Sequence, residues 1–196
     1  MSNFQENLNA LKNTMENCEQ AKGFSVYQHG ISVSEFFKDL HSHVTQGTEL
    51  KHTWKIPAWA KNKNLWNRNL PIEDILLYQV FHDCGKPYCR YFDENGKVHF
   101  PDHAKVSSDI WNSIGGKESI GRLISMDMDI HTIKAAEMDA FCRNVEAPTL
   151  LLTGLCEINS NANMFGGIDS ISFKSKYKQI DRRGKLLIKL LNLEEM

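Results

Sequence analysis

The sequence predicts an all-α fold, a single helical bundle carrying one small β-hairpin. Three observations point there. Apolar residues recur at three- and four-residue intervals along most of the chain. A strand-type signal stands out where Asp93-Glu94-Asn95-Gly96 separates Arg90-Tyr91-Phe92 from Lys97-Val98-His99-Phe100. No internal repeat or low-complexity stretch suggests a solenoid or a disordered arm. The 196 residues suit one domain.

Taken in order, residues 2–20 read as an amphipathic helix, with Phe4, Leu8, Leu11 and Met15 on one face. Residues 25–44 read as a second, on which His29, Val33, Phe36, Phe37 and Leu40 share a face. Residues 48–70 change character: Lys51, Lys55, Lys61, Lys63 and Arg68 alternate with Trp54, Trp59 and Trp66. This is a long, partly irregular connection. Either its tryptophans plug it onto the core, or it is a functional lid whose aromatics stack on bases. Leu70-Pro71-Ile72-Glu73-Asp74 starts a helix, with proline in the first turn and acids at the positive end of the dipole. That helix runs through Val80 and stops at Gly85, with Pro87 beyond. The hairpin follows, then helices at about 102–114, 117–134, 147–163 and 177–192. Seven basic residues and one acid, Asp181, lie between positions 171 and 189, which reads either as a solvated face or as a phosphate-attracting one.

Composition narrows the function classes. Lys plus Arg is 23 and Asp plus Glu is 24, giving a net charge of −1, so a globally basic nucleic-acid binder is excluded while a local basic patch is not. No apolar run has the length a membrane span needs, and the N-terminal stretch has no signal-peptide pattern. The five cysteines are odd in number and scattered without a Cys-x-x-Cys, which predicts a reduced, cytoplasmic protein.

The histidines carry the chemistry. His29 lies on the apolar face of its helix. His82-Asp83 closes a nearly all-apolar helix, where the negative end of the dipole favours a cation, and supplies one nitrogen and one oxygen ligand. His103 opens the next helix on the side of Val106, Ser107, Ile110 and Ile114. In the helix from Lys117, Asp127 and His131 fall within about 20° of Ile120, while Asp129 falls at about 180° on the solvent side. A lone carboxylate on an apolar stripe is costly unless paired or bound to metal, so Asp127 is the preferred carboxylate. Six groups from four helices, His29, His82, Asp83, His103, Asp127 and His131, are hard to account for as packing.

His29 followed by His82-Asp83-Cys84-Gly85-Lys86-Pro87 resembles the HD-domain superfamily of metal-dependent phosphohydrolases. It is similar in particular to a subgroup with His-Asp-x-Gly-Lys-Pro, which includes the HD portion of bacterial CCA-adding tRNA nucleotidyltransferases and small stand-alone HD proteins, some from phages. The hairpin and Phe100-Pro101-Asp102-His103 look like that subgroup too. The resemblance spans about 24–163, leaving the N-terminal helix and the basic C-terminal helix to pack on that core. It implies one or two divalent metals, Mn, Fe, Co, Ni, Zn or Mg, and hydrolysis of phosphate mono- and diesters. Residue by residue, it implies His29, His82 and Asp83 as metal ligands. It makes His103 a second-metal or phosphate group and sets Asp127 where many relatives have histidine. The family's last aspartate falls about where Asn159 stands, a departure that leaves Asp127 to complete the site, or the site weak or degenerate.

The mechanism that follows assigns Asp83, Lys86 and His103 to catalysis. Asp83 would orient water, Lys86 neutralise a phosphoryl oxygen and His103 protonate the leaving group. Metal would sit on His29, His82, Asp83 and Asp127, with His103, His131 and Asn159 left for a second metal or a phosphate. Lys86 and Arg90 would bind substrate. The expected partner is a nucleotide or a short nucleic-acid end, such as a cyclic nucleotide, a 2′,3′-cyclic phosphate or a phosphomonoester, and not a membrane. The site is expected in a bacterial cytoplasm, or a host's if the source is a phage. The alternatives are a nucleoside triphosphohydrolase, a nucleotide-binding module without turnover, and a helical interaction protein with core histidines.

Overall fold

The computed structural model describes residues 2–193. In chain order these form α1 (Ser2–Glu16), β1 (Glu19–Ala21), β2 (Phe24–Ser25), α2 (Val26–Gln46), α3 (Lys63–Trp66), α4 (Ile72–Phe81), α5 (Lys86–Cys89), β3 (Tyr91–Phe92) and β4 (Val98–His99). Then come α6 (His103–Ser113), α7 (Glu118–Ser125), α8 (Asp129–Thr132), α9 (Met138–Cys142), α10 (Ala147–Ser160) and α11 (Ile171–Leu190). The fold is mostly helical, with two small antiparallel hairpins, β1–β2 and β3–β4. Among the described residues no helix is long and apolar enough to cross a membrane.

Contacts divide the chain into two compact units. The first holds the residues up to Ser32 together with Glu73–Asp127, and the second holds Val33–Ile72 and the residues from Met128 onward. In the first unit, Leu11 and Met15 of α1, Ile75, Tyr78 and Phe81 of α4, Trp111 of α6 and Ile120, Leu123 and Ile124 of α7 are buried. Phe4 meets Trp111 edge to face, with ring centroids 5.9 Å apart. Two glycines let backbones touch. A Cβ at Gly30 of α2 would collide with the carbonyls of Gln79 and Val80 on α4. A Cβ at Gly85 would collide with the backbone and hydroxyl of Ser107 on α6, and Gly85 N–H donates to Ser107 Oγ at 2.8 Å. These contacts bring α2, α4 and α6 together at the residues that carry histidines.

The second unit is built on α10, buried over most of its length, and α11. Its connection over residues 47–71 is fastened down. Asp39, buried, accepts the amides of Lys51 and His52 and Trp54 Nε1. Trp59 Nε1 donates to Asp181 and Trp66 Nε1 to the carbonyl of Ala60. All three tryptophans of the segment thus hold it in place, the first of the two outcomes open from sequence.

Several boundaries differ from expectation. The first helix ends at Glu16, and the chain turns through Gly23, at φ +71°, into an extra hairpin. The helix expected over 117–134 is two helices, α7 and α8, broken at residues 126–128. Asp127 and Asp129 lie just before and in the first turn of α8, where acids agree with the positive end of the dipole, so they favour a new helix start there. The last helix starts at Ile171, six residues early, because Ser170 caps it by accepting the amide of Phe173.

Candidate metal centre

The first unit gathers His29, His82 and Asp83, all buried, with ligand-capable atoms within 4.8 Å of one another. Local sequence accounts for their placement. α4 is apolar on most of its surface and ends at Phe81, and the turn after it stays buried through Gly85 because Ser107 accepts the Gly85 amide. His82 and Asp83 therefore project into the interior rather than into water. His29 arrives from α2 beside the Gly30 crossing, its ring 5.2 Å from that of His82.

The hydrogen bonds set the chemical form of the donors. His82 Nδ1 lies 2.7 Å from the carbonyl of Gln79 and His103 Nδ1 lies 3.0 Å from the carbonyl of Phe100. A carbonyl only accepts, so both Nδ1 atoms carry a proton and each Nε2 is left for a second proton or a metal ion. Those Nε2 atoms face Asp83: His82 Nε2 is 3.2 Å from Oδ2 and His103 Nε2 is 3.5 Å from Oδ1. His29 Nε2 stands 3.6 Å from Oδ2. Lone pair against lone pair in a dry site is repulsive unless a proton or a metal ion lies among them, and two nitrogens with one carboxylate oxygen suit a transition metal. Among the described residues, none donates a hydrogen bond to buried Asp83 Oδ1. The residues present fit a divalent ion.

Lys86 Nζ lies 2.6 Å from Asp83 Oδ2 and 2.9 Å from Gln20 Oε1, over the ring of Phe100. Burial pushes the Asp83 carboxyl up, and the charges of His82, Lys86 and His29 outweigh it and hold it well below the ordinary carboxylate range. His103 keeps 19% of its side chain exposed, so it marks the open side of the cluster. It follows Asp102, whose φ of 50° is a left-handed conformation aspartate tolerates better than most residues, and which turns the chain sharply into α6.

The remaining expected residues have other engagements. Asp127 is buried as its helical angle predicts, and Asp129 is exposed. Asp127 stands outside the trio, and its carboxylate accepts the hydroxyl of Tyr78, whose ring packs against His82 at 6.2 Å. A buried carboxylate needs a partner, and here a hydroxyl supplies one. His131 falls beyond the helix break, in the second unit, where its Nε2 pairs with Glu157 at 2.7 Å. Asn159 lies in that unit too. Its Oδ1 accepts the amide of Lys55 at 2.8 Å and its Nδ2 donates to the carbonyl of Leu155. Arg90 is exposed, 5.6 Å over the ring of Phe92.

Sequence reasoning missed Tyr78, Gln79 and Ser107. The signal for the first two was present: they precede His82 by four and three residues, the spacing that shares a helix face. Nothing local marks Ser107, whose role depends on Gly85, 22 residues earlier. No family model, no curated protein and no solved structure matches the chain.

Proposed function

We propose that the chain is a divalent-metal-dependent phosphohydrolase acting on a nucleotide or nucleic-acid-end phosphoester. The observation that carries this is the buried His29/His82/Asp83 trio, whose ligand-capable atoms lie within 4.8 Å of one another. His29, His82 and Asp83 would hold the ion. Three protein donors leave coordination positions open, as catalytic sites do and structural sites do not. A bound divalent ion there supplies a water of lowered pKa and a polarised phosphoryl oxygen.

The chain's own groups do the rest. Gln79 holds His82 in the tautomer that ligates, as the outer partner of a metal-bound histidine does. Lys86 offers an ammonium beside Asp83 for a non-bridging phosphoryl oxygen. His103, held by the Phe100 carbonyl and open on its other side, would carry a proton to the leaving oxygen. The surrounding burial keeps water from competing for these contacts.

The test is elemental analysis of protein purified without chelator, beside Asp83→Ala, followed by phosphate release from cyclic, mono- and triphosphorylated nucleotides. The expected result is about one equivalent of transition metal, lost in the variant. His103→Ala should keep the metal and lose roughly 100-fold or more in turnover. A protein that takes up none of Mn, Ni or Zn refutes the reading. So does an iron protein that consumes dioxygen without releasing phosphate, because two histidines and one carboxylate also serve that chemistry.

A further inference from the structure

The second unit carries a groove of about 460 Å³ between α11 and the segment after α8, and its cations are its most informative feature. Lys134, Arg182 and Arg183 line one part of it, and Ile133, Met138 and Leu186 line another. None of the three cations forms an ion pair among the described residues. The acids beside them in sequence have other partners: Asp181 accepts Trp59 Nε1 and pairs with Lys185 at 2.7 Å, and exposed Glu137 accepts the backbone amide of Lys134 at 3.0 Å. Arg183 is half-buried, and burial together with the charge of Arg182 pushes its guanidinium below its ordinary value. Two adjacent guanidiniums thus line the groove with no ion-paired carboxylate among the described residues.

Arg183 is also fixed. Its Nε donates to the carbonyl of Ile133 at 3.1 Å, leaving the other edge of the fork for a ligand. A smaller cavity of about 190 Å³ shares Arg183 and Gln179 with the groove and adds Lys176. That cavity also holds Glu157, which pairs with His131 at 2.7 Å, so the side of Arg183 that favours an anion is the groove. Arginine forks match the geometry of phosphate oxygens, and the groove's volume is that of a small-ligand site rather than of an ion site.

We propose that this groove is a second binding site, built from none of the residues of the metal centre, for a phosphorylated small molecule of mononucleotide size. The phosphate lies on Arg182, Arg183 and Lys134. The uncharged body lies against Ile133, Met138 and Leu186.

Isothermal titration of the full chain with adenosine 5′-monophosphate, inorganic phosphate and adenosine tests this. Adenosine 5′-monophosphate should bind more tightly than either of the others. Arg182→Gln and Lys134→Gln should each weaken it about tenfold, the worth of a charge-assisted contact. Both side chains are exposed, so these variants should melt with the parent, and Arg183→Gln serves as a third. The losses should be the same in an Asp83→Asn background, which separates this site from the metal centre and leaves the test valid whatever the fate of the phosphohydrolase reading. Binding that vanishes with Asp83→Asn and ignores Arg182→Gln overturns the proposal. Inorganic phosphate binding as tightly as the nucleotide overturns it as well. So does a single-stranded oligonucleotide that binds more tightly than the mononucleotide and is weakened equally by Lys174→Gln and Lys178→Gln, which would make the basic helix a nucleic-acid face.

Discussion

Gly30→Ala separates tertiary packing from helix propensity by the sign of its effect. Gly30 lies inside α2, where alanine alone would stabilise the helix by about 0.5–1 kcal/mol. An added Cβ, however, would stand 2.8 Å from the Val80 carbonyl carbon and 2.9 Å from Gln79 O, and closer still to Val80 O. All three are backbone atoms in the last turn of α4, so no side chain can swing aside. Relief requires moving one helix, and overpacking of that kind costs about 1–3 kcal/mol, here toward the upper end. The net loss is about 2 kcal/mol, which lowers Tm by roughly 4–8 °C in a chain of this size. The displaced carbonyl of Gln79 is also the one that fixes His82 Nδ1, so divalent-metal affinity should fall roughly 10–100-fold, as for other losses of a ligand's outer partner. Thermal melts followed by tryptophan fluorescence, with a competitive metal titration on the same samples, measure both. A Gly30→Ala protein as stable as the parent, or more stable, would refute the close crossing and the coupling built on it.

Two other substitutions probe buried carboxylates. Tyr78→Phe deletes one oxygen and with it the hydroxyl bond to Asp127, and should cost about 1.5–3 kcal/mol, the range for a hydrogen bond to a charged group; an unchanged Tm would show that Asp127 does not depend on it. For Asp39, burial raises the carboxyl, but the bonds from Trp54 Nε1 and the amides of Lys51 and His52 outweigh it and hold it below its usual value. A carboxyl depressed in the folded state contributes stability above its unfolded pKa of about 3.9, which is lost as pH falls through the folded value. Urea midpoints should therefore fall below about pH 4 in the parent and fall less steeply in Asp39→Asn; parallel profiles would contradict the assignment.

The sequence was legible where signals are local. The apolar run of α4 and its stop at Gly85 follow from spacing, dipole and proline position, and the hairpin at 91–99 follows from its turn residues. The angular argument put Asp127 inside and Asp129 outside, as found. It does not extend to His131, because a helical wheel assumes an unbroken helix and this one breaks at residues 126–128. His131 therefore lands in the second unit, paired with Glu157. The tryptophan segment was ambiguous for a different reason. Aromatics between lysines look the same whether their indoles face bases or core carboxylates, and Asp39 and Asp181 settle the matter from 15 and 122 residues away. Gly30 and Gly85 were equally silent, since a glycine's need for closeness lies in its partner helix.

Asp83 is the group on which the two levels meet. Burying a carboxylate costs several kcal/mol, and ion pairs seldom return more than that, so a buried charge cluster is weak support for stability. Here the cost is taken at a position where Lys86 and His29 would not both be needed to hold one oxygen if packing alone were at stake. An apolar residue at position 83 would fill the space without needing either partner. The surrounding fold instead spends two side-chain-free glycines to bring three helices close enough for His29, His82 and His103 to reach this carboxylate. A core optimised for stability has no use for that convergence, whereas the proposed metal centre needs it.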